Sequence, residues 1–410
     1  MKVITGVVRP YAWGSRTAIA ELCGRPSPSP HPEAELWFGA HPASPAVIDD
    51  GSGADLLTVI DADPAGQLGP DVVERFESRL PFLVKMLAAD EPLSLQAHPS
   101  SEQAREGYAA DNARGLAPDD PRRNYRDSWH KPEIVVALSE FDALAGFREP
   151  EATVALLREL QVPELDSYLG MLAGEPDAVG LRAVFTTWLA LPESVLASLV
   201  PAVLAGAVTV LEGGESSFTA ELRAVLELGE AYPNDPGVLA SLLLNFVHLS
   251  PGEAIFLPAG NLHAYLRGVG VEAMANSDNV LRGGLTPKHV DVPELLRVLD
   301  FTPVTRDELM PTVRTLGAER IYLTPVPEFL LSRIELDGTG LRFASSISFD
   351  MPGPQILTVV SGRIEVDAGD GERVIVESGD ALWLSDSDPD VVVRAATAHP
   401  VFFRTRVPID

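Results

Sequence analysis

Cysteine is almost absent: Cys23 is alone in 410 residues. That excludes an intrachain disulfide and any cysteine-based zinc cluster, and it points to a reducing compartment. Cations are scarce as well, with 31 Lys+Arg against 59 Asp+Glu and a net charge of −28. Nucleic acids and anionic membranes demand clustered cations, so neither is expected as a partner. The opening segment MKVITGVVRPYAWGS lacks the charged and apolar regions of a signal peptide. The longest uncharged apolar stretch, Ser194 to Leu211, contains Pro201 and Gly206 and is flanked by Glu193 and Glu212. Without flanking cations it reads as a buried or surface helix, not a span. The expectation is a soluble, acidic, cytoplasmic protein.

Lysine is the rarest charge. Lys2, Lys85, Lys131 and Lys288 are the only lysines among the 31 cations. Against that bias, a lysine supplies what guanidinium cannot: a compact charge able to lose its proton.

What is present supports a folded, multi-domain chain. Hydrophobic residues make up 46%, enough for a core, and the length fits about two or three domains. PFLVKMLAADEPLSLQAHP reads as two short strands split by Asp90, Glu91 and Pro92, and residues 104 to 128 as a helix followed by an ordered loop. From about 150 to 247 the period turns helical, with Val154, Leu156, Leu157 and Leu160, then Leu222, Val225, Leu226 and Leu228. Strands return at Asn245 to Leu266 and again beyond residue 320, in short alternating segments at sandwich-like spacing.

Four signals carry chemistry. Gln96 and His98 in PLSLQAHP are two residues apart, so an amide oxygen and an imidazole share one strand face. In His130-Lys131-Pro132-Glu133 the proline favours extended backbone, which puts Lys131 and Glu133 on one face. Pro251-Gly252, then Pro258, Gly260 and His263, resembles the second cupin motif, in which the turns aim a histidine into a barrel. Arg282-Gly283-Gly284 suits an anion held by guanidinium beside approachable backbone. Glu272, Asn276, Asp278 and Asn279 precede it, and Thr286 and Lys288 follow. Together Gln96, His98, Glu133 and His263 offer two imidazoles, a carboxylate and an amide oxygen, a set that suits zinc and leaves room for water. One carboxylate among three neutral ligands leaves the site about +1, a charge that stabilises a developing enediolate.

These stretches, with YAWGS, AELWFGAHP, NYRDSWHKPE, LPAGNLHAYL and MANSDNVLRGGLTPK, are spread over the first 290 residues, and the chain resembles the type I mannose-6-phosphate isomerases. The resemblance implies one Zn²⁺ per chain on Gln96, His98, Glu133 and His263, and Arg282 as the catalytic arginine. It also implies aldose–ketose isomerisation of mannose 6-phosphate and fructose 6-phosphate, which links hexose phosphates to mannose supply. In that scheme Arg282 steadies the enediolate, and Ser94, Lys85 or Lys288 holds the phosphate. Lys131 is one candidate proton carrier, with Glu272, Tyr265 and Asp278 as competitors and His130 as a relay. The expected partner is a small sugar phosphate, and the chain is expected to be a monomer.

The expected fold is mainly β with a helical insertion. Residues 1–150 with 246–315 form a cupin-like jelly-roll catalytic domain, 151–245 an α-helical domain, and 316–410 a C-terminal β jelly roll without a metal site. Two positions depart from the family pattern: Ser100 after QAHP, and Trp129 before HKPE. A cupin metal oxygenase or a non-catalytic sugar-binding cupin are the competing readings. The missing His-x-His pair weighs against the first, and Arg282 with the lysines against the second.

Overall fold

In the computed structural model of the chain, residues 1–340, 344–349, 352–369 and 371–409 are described. The strand Phe82–Ala89 is buried at every position. Side chains alternate along a strand, so burial throughout requires a packed layer on each side. Val84, Met86 and Ala88 pack with Leu331, Trp383 and Phe403 of the C-terminal sheet. Leu87 and Ala89 face the other way, with Val135, Ala137, Phe141 and Tyr265. By parity Lys85 lies on that second, inner face. The strand Glu133–Ala137 follows the same rule: Ile134 and Val136 join the outer core, Val135 and Ala137 the inner one. Glu133 therefore points inward.

Antiparallel pairing orders one layer as Ala254–Leu257, Glu133–Ala137, His263–Ala275, Phe82–Ala89, Glu35–Phe38 and Val7–Arg9. A second layer comprises Leu281–Gly284, Leu95–Ala97, Phe141–Phe147 and Leu244–Leu249. The strand His263–Ala275 serves both. Its residues 268–275 pair with Phe82–Ala89, whereas His263 and Tyr265 pair with Ala145 and Ala143. The register slips between Tyr265 and Arg267, and Gly268 follows with φ 120° where a Cβ would stand 2.7 Å from the Glu140 carbonyl. Only glycine fits that corner. The layers have open edges, so the barrel anticipated from the His263 motif is a sandwich and not a closed cylinder.

Helices Pro150–Glu159, Asp166–Gly174, Ala178–Leu189, Glu193–Gly213, Thr219–Ala231 and Pro236–Ser241 form the insertion. Glu193–Gly213 is long and apolar enough to cross a membrane by length and composition. Its Leu196, Leu199, Val200, Val203 and Ala207 recur at helical spacing and pack in one core with Leu222, Val225 and Leu228 of Thr219–Ala231.

The C-terminal part is a second sandwich. An eight-stranded sheet faces a four-stranded one around Ile334, Leu357, Val366, Val393 and Phe402. The first strand of the chain, Lys2–Thr5, pairs with Asp380–Leu384 and so lies in this sheet. The two sandwiches are stitched through both ends of the sequence.

Candidate metal centre

Leu95–Ala97 lies between His263–Ala275 and Leu281–Gly284, with Gln96 opposite His263 on one side and Arg282 on the other. Residues opposite one another in antiparallel strands share a face, so this register sets His263, Gln96 and Arg282 in a row. His98 follows the strand end, and its neighbour Ser100 caps the helix Ser101–Ala113 in a capping box with Gln103. Ser, Asp and Asn serve alike in that role.

Three inward side chains meet. The His98 and His263 Nε2 atoms lie 3.3 and 3.4 Å from Glu133 Oε2. Each imidazole is oriented from behind: His98 Nδ1 is 2.7 Å from the Asn279 carbonyl and His263 Nδ1 3.1 Å from that of Asn261. The Nδ1–H donates in both, which leaves the Nε2 lone pairs aimed at the carboxylate. Burial pushes His98 down to about 4, so it is neutral at physiological pH. Its Nε2 has no hydrogen-bond partner although buried. Lone pairs facing an anion across this gap are unsatisfied unless a cation joins them. The spacing fits one: a tetrahedron with bonds of about 2.0–2.1 Å has edges of about 3.3–3.4 Å. His98, Glu133 and His263 thus fit a divalent metal of zinc's coordination chemistry, and the register brings Gln96 beside them.

The second Glu133 oxygen takes Lys131, 2.9 Å away. Burial opposes the charge on Glu133, but Lys131 and His98 overcome it and hold the carboxyl well below its usual range. Further inward, Lys85 lies 2.8 Å from Glu272 and 3.4 Å from Glu35, and Tyr265 donates to Glu272 at 2.9 Å. Burial raises Glu272 and, together with that carboxylate, raises Tyr265 well above its ordinary value. Burial disfavours the Lys85 charge, yet Glu272, Glu35 and Glu133 raise its pKa. With 5% of its surface exposed, Lys85 is held in this inner network by two carboxylates.

Arg282 differs. Burial lowers its pKa and the charged neighbour that bears on it is Arg126, another cation. Lys288 is lowered by burial and then by Arg282 and Arg126. Three cations thus act on one another in a strongly acidic chain, the setting for an anion. The paired glycines beside Arg282 have a packing reason as well: a Cβ on Gly284 (φ 123°) would stand 2.7 Å from Gly237 Cα, where the insertion docks. Ser94 precedes this strand pair. Asp278 is 3.4 Å from His41, and His130 Nε2 is 2.7 Å from Glu328.

Comparison with known proteins decides the family. The profile of the phosphomannose isomerase type I catalytic domain matches residues 1–150. Mannose-6-phosphate isomerase of Escherichia coli K12 is 39% identical over 397 residues, covering 96% of this chain and 97% of that protein. The chain belongs to the type I phosphomannose isomerases. A crystal structure of mannose 6-phosphate isomerase bound with zinc and yttrium matches this family member at TM-score 0.88 and 36% identity over 100% of both chains. The Salmonella typhimurium isomerase bound to substrate and zinc matches at TM-score 0.89 and 35% identity, again over 100% of both.

The sequence reading missed Glu35 and Arg126 of the phosphomannose isomerase site and named Asn279 without giving it a role. Asn279 is fully buried; its Oδ1 accepts from the Arg126 amide and its Nδ2 donates to the Asp127 and Trp129 carbonyls, while its own carbonyl orients His98. Glu35 is the second counter-charge of Lys85, and Arg126 the third cation beside Arg282. Asn279 and Arg126 fall inside segments already singled out; Glu35 is reached only through strand pairing.

Proposed function

We propose that the chain is a mannose-6-phosphate isomerase that interconverts mannose 6-phosphate and fructose 6-phosphate, with one zinc on Gln96, His98, Glu133 and His263. The observation that carries this is the pair of imidazole nitrogens, each at tetrahedral edge distance from Glu133 Oε2, beside Arg282, a guanidinium whose charged neighbour among the described residues is another cation. Zinc, when bound, supplies Lewis-acid polarisation of the oxygens on the reacting carbons. The chain's residues do the rest. Arg282 faces the charge that develops on those oxygens and stabilises the enediolate. Lys288, Ser94 and Arg126 hold the phosphate, whose binding energy then orients the sugar.

Lys131 moves the proton between C2 and C1. Glu272 is less available, because one oxygen already takes Tyr265 and the other Lys85. Asp278 is less available as well, being engaged by His41. Zinc-loaded protein should turn over mannose 6-phosphate in a coupled assay, lose the activity on chelation and regain it with zinc add-back. No turnover by the zinc-loaded chain ends this reading. Lys131→Arg should not rescue Lys131→Ala; recovered kcat would defeat the base assignment.

We also read the chain as a cytoplasmic monomer acting on small sugar phosphates, with neither nucleic acid nor membrane as partner. The net charge of −28 and the single cysteine support this. The three-unit division at 151–245 and 316–410 is likewise our proposal, with Lys2–Thr5 counted with the C-terminal unit.

A further inference from the structure

The segment that carries Lys131 and Glu133 is anchored from two directions. From the catalytic unit, Asn279 and Ser277 bond the Trp129 carbonyl, and Ser277 also bonds Asp127. The Arg79 guanidinium lies 4.9 Å over the Trp129 ring. The other anchor comes from the C-terminal sandwich. Glu328 precedes the strand Leu330–Glu335 and is 4% exposed, and its Oε1 lies 2.7 Å from His130 Nε2. Its neighbour Phe329, fully buried in the core shared by the two sandwiches, fixes the position from which Glu328 reaches across.

A buried carboxylate is expensive to desolvate, and Glu328 leaves Oε2 without a hydrogen-bond partner. Such an arrangement is weak evidence for stability, because apolar residues would serve a seam better. It does fix an imidazole. With Nε2–H donated to Glu328, the ring of His130 is set in one tautomer and one orientation. Pro132 limits the backbone between His130 and Glu133, so a constraint on His130 is passed on to Lys131 and Glu133.

We infer that Glu328 is a positioning residue, through which the C-terminal sandwich sets the His130–Glu133 segment in the catalytic site. The inference rests on the functional reading above for its kinetic readout. Glu328→Ala should lower kcat/KM about tenfold at a temperature well below its melting point, mainly through kcat. Glu328→Gln, which keeps an acceptor oxygen for His130, should restore most of it. In the double variant Glu328→Ala/His130→Ala the loss should be no greater than in the worse single one, because both remove the same contact. If Glu328→Ala does not fold, Glu328→Asp, which keeps the charge but withdraws it by one methylene, takes its place in the cycle.

Wild-type kcat/KM in Glu328→Ala, or losses that multiply in the double variant, overturn the inference. Wild-type turnover run alongside judges the isomerase reading separately. Should that be nil, the same cycle is read by zinc release to a chelator, which Glu328→Ala should speed several-fold and Glu328→Gln should not. Unchanged release then overturns the inference.

Discussion

The two sandwiches share an architecture and differ in what fills them. The C-terminal one is packed mainly with apolar residues, Ile334, Leu357, Val359, Ile364, Val366, Leu382, Val393 and Phe402, with Arg404 buried beside Phe349. Its histidine, His399, has a side chain that is 64% exposed. The N-terminal one turns Lys85, Glu133, Glu272, His98 and His263 inward, all under 9% exposed. Apolar filler stabilises by leaving water, whereas ionic filler must be compensated group by group, and replacing such pairs with apolar residues is often neutral or stabilising. One interior holds the fold and the other holds chemistry, so shared architecture by itself assigns no function.

The comparison breaks most sharply at Glu133. Glu133→Gln removes the anion shared by His98, His263 and Lys131, so zinc content should fall from about one per chain to near zero and turnover by roughly 10³-fold. Metal analysis after dialysis and a coupled assay read both; full zinc with full turnover would place the chemistry elsewhere. Next in size is Asn279→Ala, which leaves the His98 ring held by a looser carbonyl. Zinc affinity, measured by chelator competition, should drop about 10–100-fold while saturating zinc restores most turnover. Leu357→Ala tests the other interior. It should cost about 2–5 kcal/mol in an unfolding titration and leave kcat of zinc-loaded protein within about twofold. A tenfold loss of kcat there would erase the division of labour.

Much of this was legible in local pattern. The turn of the chain from strand to helix near 150 and back near 245 shows in the periodicity, and Pro150–Glu159 and Leu244–Leu249 sit at those switches. His98, Glu133 and His263, which the structure brings together, are singled out by parity and motif spacing, and Gln96 lies opposite His263. Long-range pairing was not legible. Nothing in KVIT announces that Lys2–Thr5 closes against Asp380–Leu384, since its partner lies more than 370 residues away. The two carboxylates on Lys85 are not legible locally, because Glu35 and Glu272 reach it only through neighbouring strands. Trp129, a departure from the family pattern, packs against the tilted ring of Phe76 and under the Arg79 guanidinium, both just after the helix Pro70–Arg75.

The smallest effect sharpens the contrast between the inside and the outside of the same sandwich. His248 lies 2.6 Å from Asp142 and 2.7 Å from Glu140, with its side chain 51% exposed. The hydrogen bond to Asp142 raises its pKa, chiefly, against a small opposing effect of burial. A group whose folded pKa is raised adds stability that is complete below its unfolded value, about 6.5, and that fades as pH rises through the folded one. His248→Gln should therefore lower Tm at pH 6 and leave it unchanged at pH 9. Solvent screening of so exposed a cluster limits the shift to about 1 °C in a chain of this size. Differential scanning at the two pH values checks it. An equal drop at both would mean that His248 acts through packing; a drop of many degrees at pH 6 would mean that outer-face charge matters as much as the charge buried around Glu133.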